Sequence, residues 1–565
     1  MKVRAMIFII LGIVVSLIGL STASSQPESS ADRTLSPYFF VQSEDASVDQ
    51  LPLKSTMADV QIAGVIADVR VAQVYKNEGK TPLEAIYVFP ASTRAAVYGM
   101  KMQIGKRTIE AKIKEREQAR KDYEDAKNQG KNASLLEQQR PNVFQMNVAN
   151  IMPGDVILVE LKYTELLVPE DRVYEFVYPT VVGPRYTNQD AATAPASEHW
   201  IQNPYLRQGD APTYDFDIHV NLATGMPIRD LACPSHKVDA VYADASRVAV
   251  ELAAGEKTGG NRDYILRYRL DGDRIQSGLL LHEGEKENYF LLMMQPPQRI
   301  ASGDIPGREY IFIVDVSGSM HGFPLDISKK LMSDLIGSLR PADRFNVLLF
   351  AGGSSLLAEE SLPATTDNIR RAISHIENQT VGGGTEILPA LKRVLALKHG
   401  KNTSRTLIVV TDGYVTVEEE VFDLIRKNLG QANLFAFGIG SSVNRHIIEG
   451  MARCGQGEAF VVVNPGEATE KAARFRKMIQ SPVLSQVKVD FNGFETYDIE
   501  PLTLPDVLAE RPVVVFGKWR GKAAGTITLR GITGRGPYTE SIEVGKAKST
   551  KAHSALRYLW ARQRL

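Results

Sequence analysis

Between residues 306 and 480, short runs rich in β-branched and aromatic residues alternate with amphipathic stretches of roughly 10–15 residues. No other feature restricts the fold as much. Strands are expected at 310–316, 344–350, 406–411, 433–439 and 459–463. Helices are expected at 325–339, 367–378, 387–397, 418–429, 444–452 and 469–479. Short apolar strands separated by helices specify a mostly parallel, doubly wound sheet covered on both faces.

Functional residues in open α/β sheets gather at the carboxyl ends of the strands. The first strand here runs out through YIFIVDVSGSM at 310–320, which sets Asp315, Ser317 and Ser319 at alternate positions. A carboxylate with two hydroxyls suits a hard cation, Mg²⁺ or Mn²⁺, rather than Zn²⁺. A second strand ends in Val409-Val410-Thr411-Asp412-Gly413, and Gly382-Gly383-Gly384-Thr385 forms a flexible loop leading into a helix. Ser317, Ser319 and Thr385 are expected as direct or near-direct ligands. Asp315 and Asp412 would supply charge, directly or through water. Few protein charges leave such an ion Lewis-acidic, with a water that an incoming carboxylate replaces. Without an ion, the same residues make a Ser/Gly-rich turn, a strand-ending aspartate and a helix-capping threonine.

The rest of the chain reads differently. Residues 24–50 are polar and read as a flexible lead-in. Strand-like alternation follows at 60–75, 84–89, 95–104, 108–113, 143–148 and 156–163, interrupted by a charged helical excursion at 114–138. A proline-punctuated connection at 187–212 leads to strands at 214–222, 247–253, 264–270, 276–282 and 289–295. These form a second β block or extend the first. After Pro482, β-like runs at 487–491, 513–518, 524–530 and 538–544 precede a helical tail at 554–564. The tail stops without a cap, so the chain is expected to be a fragment of a longer one.

A chain of 565 residues needs several domains. Its 66 basic and 66 acidic residues balance, with no basic stripe, which argues against nucleic acid as a partner. Lys2 and Arg4, an apolar run over 5–20 and Ser21-Thr22-Ala23 read as a secretory signal. The apolar run is shorter than the roughly 20 residues that span a bilayer, so cleavage is expected; an uncleaved signal would serve as a membrane anchor. Cys233 and Cys454, the two cysteines, are expected as separate buried thiols. The nine histidines show no zinc spacing. His321 beside Met320 reads as a loop residue at the rim.

The motifs at 315–319, 385 and 412 resemble the metal-ion-dependent adhesion site of the von Willebrand factor type A family. The similarity covers roughly 307–480, with Asp315-Val316-Ser317-Gly318-Ser319 as its D-x-S-x-S, Thr385 as its threonine and Asp412 as its aspartate. NEGKTPLEAIYVFP at 77–90, AKIKEREQARKDYEDAK at 111–127 and NVFQMNVANIMPGDVILVELKYTE at 142–165 resemble a vault protein inter-alpha-trypsin domain. With LPDVLAERPVVVFGKWRG at 504–521, the arrangement is similar to inter-alpha-trypsin inhibitor heavy chains, and more so to marine proteobacterial sortase-target proteins. Their sorting signal is missing: Leu362-Pro363-Ala364-Thr365-Thr366 lies inside the α/β pattern with no apolar span behind it. A sortase is a partner only if the chain continues into such a signal.

The resulting division is a signal at 1–23, a lead-in at 24–50 and a vault protein inter-alpha-trypsin domain at 51–182. A linker and β block at 183–305, the A domain at 306–480, a β-rich region at 481–548 and a helical tail at 549–565 follow. The fold class is multidomain, α+β and α/β: a β-sandwich-like domain with a helical excursion, an intervening β block, the doubly wound domain and a β-rich end with a terminal helix. The expected function is adhesion or interaction at the periplasm, cell envelope or cell surface. Mg²⁺, with Mn²⁺ or Ca²⁺ as alternatives, would bind an acidic residue of a protein or envelope component. A structural role, in which the ion only rigidifies the loops, is the second reading. Metal-assisted hydrolysis is a third, but Ser317 and Ser319 lack an identifiable base. No nucleotide-binding motif is present, and the chain is read as a non-enzyme.

Overall fold

The computed structural model describes residues 34, 36–41, 51–92, 94–110, 136–140, 143–180, 214–256, 262–272, 274–297, 305–398, 403–413, 417–430, 432–509 and 511–564. The signal at 1–23, most of the charged excursion and the connection at 187–212 lie outside the described residues.

Five parallel strands build the α/β domain: Gly307–Asp315, Arg344–Phe350, Thr403–Thr411, Ala432–Ile439 and Gln456–Val462. Across the sheet the second strand lies at one side, followed by the first, third, fourth and fifth. Two short antiparallel strands, Ser354–Leu356 and Leu362–Pro363, pair with Arg344–Phe350. Successive side chains of a strand point to opposite faces, and both faces here are apolar. Tyr310, Phe312, Val314, Ile408 and Val410 enter one core, while Ile311, Ile313, Leu407 and Val409 enter the other. Helices Phe323–Gly337 and Ala468–Ile479 cover the first core; Ile387–Leu395, Glu418–Asn428 and Arg445–Cys454 cover the second. Each fully buried aliphatic side chain contributes roughly 1.5–3 kcal/mol.

The N-terminal part is a β structure with one large core. Its eight-stranded sheet runs in the order Val238–Asp244, Arg247–Leu252, Asp215–Ala223, Leu53–Ala63, Ile66–Lys76, Val156–Leu166, Ala95–Ile104, Arg107–Glu110. Asp215–Ala223 pairs in parallel with Leu53–Ala63, so the sheet continues past residue 182. The strands after 214 therefore extend the first β domain in part. The expected lead-in also carries structure. Tyr38–Val41, a buried apolar run, pairs with Leu83–Pro90, because Phe39 packs edge-on against Tyr75 and Tyr87.

Strands Gln276–Glu283 and Asn288–Gln295 belong elsewhere. Asn288–Gln295 pairs with Val513–Trp519, from the far side of the α/β domain in sequence. With Pro482–Asn492 and Thr526–Thr533 these strands enclose a core of Leu292, Val515, Leu484, Leu529 and Trp519. The α/β domain is thus an insertion in a β structure whose halves precede and follow it. Helix Leu556–Arg564 returns to the N-terminal core through Leu556 and Leu559. Trp560 Nε1 donates to the Asp498 carbonyl at 3.0 Å, and Lys518 Nζ stands 3.6 Å from the Trp560 ring centroid. Among the described residues, no helix is long and apolar enough to cross a membrane.

Candidate functional site

Strand order changes direction between Gly307–Asp315 and Thr403–Thr411, since the chain goes to one side after the first strand and to the other after the second. Such a switch point opens a crevice at the carboxyl ends of the strands. Asp315 ends one of these strands and Asp412 follows the other.

The site grades from a buried floor to an exposed rim. Asp315, Ser317 and Asp412 are buried, Thr385 is half-buried and Ser319 is exposed. Asp315 Oδ1 accepts the Ser317 amide at 2.8 Å, which folds the loop back over the strand end. Thr385 Oγ1 donates to Ser317 Oγ at 3.0 Å, and Ser317 Oγ lies 3.2 Å from Ser319 Oγ. The three hydroxyls therefore form one contiguous row. The glycine loop is tied to the strand-end loop at two points: Gly318 N donates to the Gly383 carbonyl at 3.2 Å, and Gly382 N to the Val316 carbonyl at 3.1 Å.

The structure thus gathers Ser317, Ser319 and Thr385 by hydrogen bonds, with Asp315 beneath. It also brings in residues that sequence reasoning did not assign. Thr411 Oγ1 donates to Asp315 Oδ2 at 2.6 Å and accepts from Gly413 N at 3.0 Å. Asn444 N donates to the Asp412 carbonyl at 3.0 Å, while its side chain caps helix Arg445–Cys454. Thr411 stands inside the T-D-G motif, so its place beside Asp412 was the available signal. His321 is exposed at the rim. Cys233 and Cys454 are separate free thiols, as expected, but half-buried rather than buried.

Burial pushes the Asp315 carboxyl above its ordinary range, Ser317 and Thr411 oppose this by hydrogen bonding, and the nearby Asp412 charge adds to the rise. Two neighbouring acidic groups in a buried floor, beneath a row of neutral oxygens, fit a hard divalent cation. Among the described residues no group of three or more His, Cys, Asp or Glu side chains is placed to hold a metal. Any ion here would depend on the hydroxyls as much as on the carboxylates.

Doubly wound domains with this loop chemistry form a recognised class, and the chain carries one. Residues 308–460 match the von Willebrand factor type A domain, and residues 53–163 match the vault protein inter-alpha-trypsin domain. The chain is similar to the human von Willebrand factor A domain-containing protein 5A, with 28% identity over 516 residues, covering 87% of this chain and 64% of that protein. It is also similar to the mouse protein mono-ADP-ribosyltransferase PARP4, with 25% identity over 465 residues, covering 82% of this chain and 23% of that protein. It spans just under two thirds of the first and under a quarter of the second. Among solved structures, von Willebrand factor type A from Catenulispora acidiphila has 15% identity and a TM-score of 0.39, covering 50% of this chain and 75% of that one.

Proposed function

We propose that this is an exported adhesion or interaction protein. In this reading its A domain captures an acidic group of a partner protein or envelope component through Mg²⁺. The observation that carries the reading is the hydroxyl row of Thr385, Ser317 and Ser319 above the buried Asp315 carboxylate. When bound, the ion supplies a Lewis-acidic centre with a position open to a carboxylate. Ser317, Ser319 and Thr385 present neutral oxygens, and Asp315 and Asp412 balance the charge. Thr411 holds the Asp315 carboxylate in place through its hydroxyl. The exposed Ser319 and half-buried Thr385 put the row within reach of a partner.

The reading is non-catalytic. The Ser317 hydroxyl pairs with Thr385 and Ser319, neither of which is a base. Affinity would come from the buried area around the ion, and orientation from the ion itself. The secretory pattern at 1–23 supports the envelope or cell surface as its location. Attachment by a sortase enters the proposal only for a longer chain that ends in a sorting signal.

The test is titration calorimetry of Mg²⁺ and Mn²⁺ into metal-stripped protein, with Asp315→Ala and Thr385→Ala alongside. Saturable single-site binding is expected in the wild type and is lost in both variants, which keep their folded circular dichroism. Capture of envelope proteins should then disappear with chelator. Capture that persists undiminished in chelator would make the ion a structural element and sink the adhesion mechanism.

A further inference from the structure

A crevice of ≈ 160 Å³ opens where three parts of the chain meet, away from the hydroxyl row. Val65, Leu166 and Val168 reach it from the N-terminal β domain, Gln456 from the α/β domain, and Arg511 and Val514 from the C-terminal β structure. Each of these six keeps accessible surface. Asn433 and Asp506 border the crevice too, but at 1% and 3% exposure they offer an occupant almost nothing. Gln456 opens strand Gln456–Val462 at its amino end. Asp315 and Asp412 stand at the carboxyl ends of their strands, so the crevice and the ion site are separate.

Arg511 is the charged group with surface to offer. Its Nη1 donates to the Gln456 carbonyl at 3.2 Å and to the Gly457 carbonyl at 2.6 Å, which pins the guanidinium to the start of that strand. Nε and Nη2 have no hydrogen-bond partner among the described residues, and neither is sealed from solvent. Those two nitrogens form the edge through which an arginine grips a carboxylate in a fork. Among the described residues Arg511 has no ion pair; Glu458, whose charge it feels, is held by Arg474. Burial pulls the guanidinium pKa below its ordinary value, and Glu458 opposes this. A cation so placed is short of both water and a counter-ion. The Gln456 side-chain amide also lacks a partner among the described residues and is not sealed from solvent.

We propose that this crevice binds a small monocarboxylate with an apolar body. The two carboxylate oxygens accept from Arg511 Nε and Nη2, and the ion pair forms where water is scarce. The body covers Val65, Leu166, Val168 and Val514. A cavity of about 150 Å³ holds a benzene ring, so an acid of roughly six to nine heavy atoms suits the space. A carboxamide turns an N–H toward the guanidinium donors and leaves the cation without a counter-charge. Acetate fills the fork but leaves the apolar wall uncovered. Sites at domain junctions with an apolar wall and a few polar groups are the usual form of small-molecule pockets. An occupant also bridges three segments and stabilises their arrangement by mass action.

The experiment is saturation-transfer NMR on the intact protein with 4-methylpentanoate as the probe, at about pH 7.5, where a carboxylic acid is ionised. Its amide, 4-methylpentanamide, and acetate serve as comparators. The acid is expected to saturate with a dissociation constant of roughly 1 mM, as suits so few heavy atoms. The amide and acetate should each bind at least roughly tenfold more weakly. Arg511→Gln should weaken the acid by a similar factor and bring it level with the amide. Val168→Trp, at a position 36% exposed, should block the apolar wall without touching the guanidinium. If Arg511→Gln does not fold, the acid-to-amide ratio and Val168→Trp decide. No saturation by 4-methylpentanoate, equal binding of either comparator, or undiminished binding to Val168→Trp would each overturn the proposal.

Discussion

Arg405 and Glu309 face each other across neighbouring strands, their side chains 6% and 4% exposed. Arg405 Nε and Nη2 donate to the two Glu309 carboxylate oxygens at 2.8 and 3.1 Å. Such a fork is specific to arginine. Arg405→Leu would leave the glutamate buried and should cost about 3–5 kcal/mol in urea unfolding; Arg405→Lys should recover only part of this. A loss near zero would mean that water reaches the carboxylate.

Asp506 offers a second test at the same scale. Burial raises its carboxyl from the ordinary 3.8 to about 7, and the Ser404 hydroxyl and Gln486 amide oppose this without cancelling it. The folded state therefore holds the proton more tightly than the unfolded chain. Stability is fullest below the ordinary value, falls as pH rises through the window from 3.8 to about 7, and levels off above it. The total is about 4 kcal/mol. Asp506→Asn keeps the acceptor at Oδ1 and should remove that slope. Urea unfolding of both proteins from about pH 4 to pH 8 reads it directly; parallel slopes would mean the carboxyl titrates normally.

At the scale of elements, the glycine loop sets the threonine. Gly383 has φ +78°, and a Cβ there would lie 2.9 Å from Gly352 N. Gly383→Ala should shift the loop and weaken Mg²⁺ binding by roughly 10–100-fold, as displaced supporting groups do in metal sites. Gly384→Ala, where no atom lies within 4 Å of the added carbon, should leave it unchanged. Equal behaviour of the two variants would show that loop geometry does not position Thr385.

Elements that bury both faces were readable from residue pattern alone. Strand Arg344–Phe350 falls where its apolar run predicts, and the helices differ from expectation by a few residues at their ends. Val238–Asp244 was not readable: it is an edge strand, exposed along nearly its whole length, so no apolar periodicity marks it. Tyr38–Val41 was hidden by its polar surroundings. The ion-site candidates were legible because each lies in a local motif at a strand end or loop. The crevice lined by Val168, Asn433 and Asp506 was not, since these residues come from distant parts of the chain and share no local signal.

At the scale of the whole molecule, the terminal helix closes the N-terminal core. Deleting residues 550–565 removes Leu556 and Leu559 from that core and should cost roughly 3 kcal/mol or more. Thermal unfolding would show a lower first transition, while Mg²⁺ affinity stays as in the full chain. A parallel loss of Mg²⁺ binding would mean that the ion site and the β structure unfold as one unit.

The inserted position of the α/β domain also has a mechanical meaning. The chain leaves the β structure after Gln295 and re-enters it at Pro482, where Val483 and Leu484 join the C-terminal core. A load applied to the α/β domain is therefore divided between two covalent tethers. A single backbone cut in either one leaves the domain attached through the other.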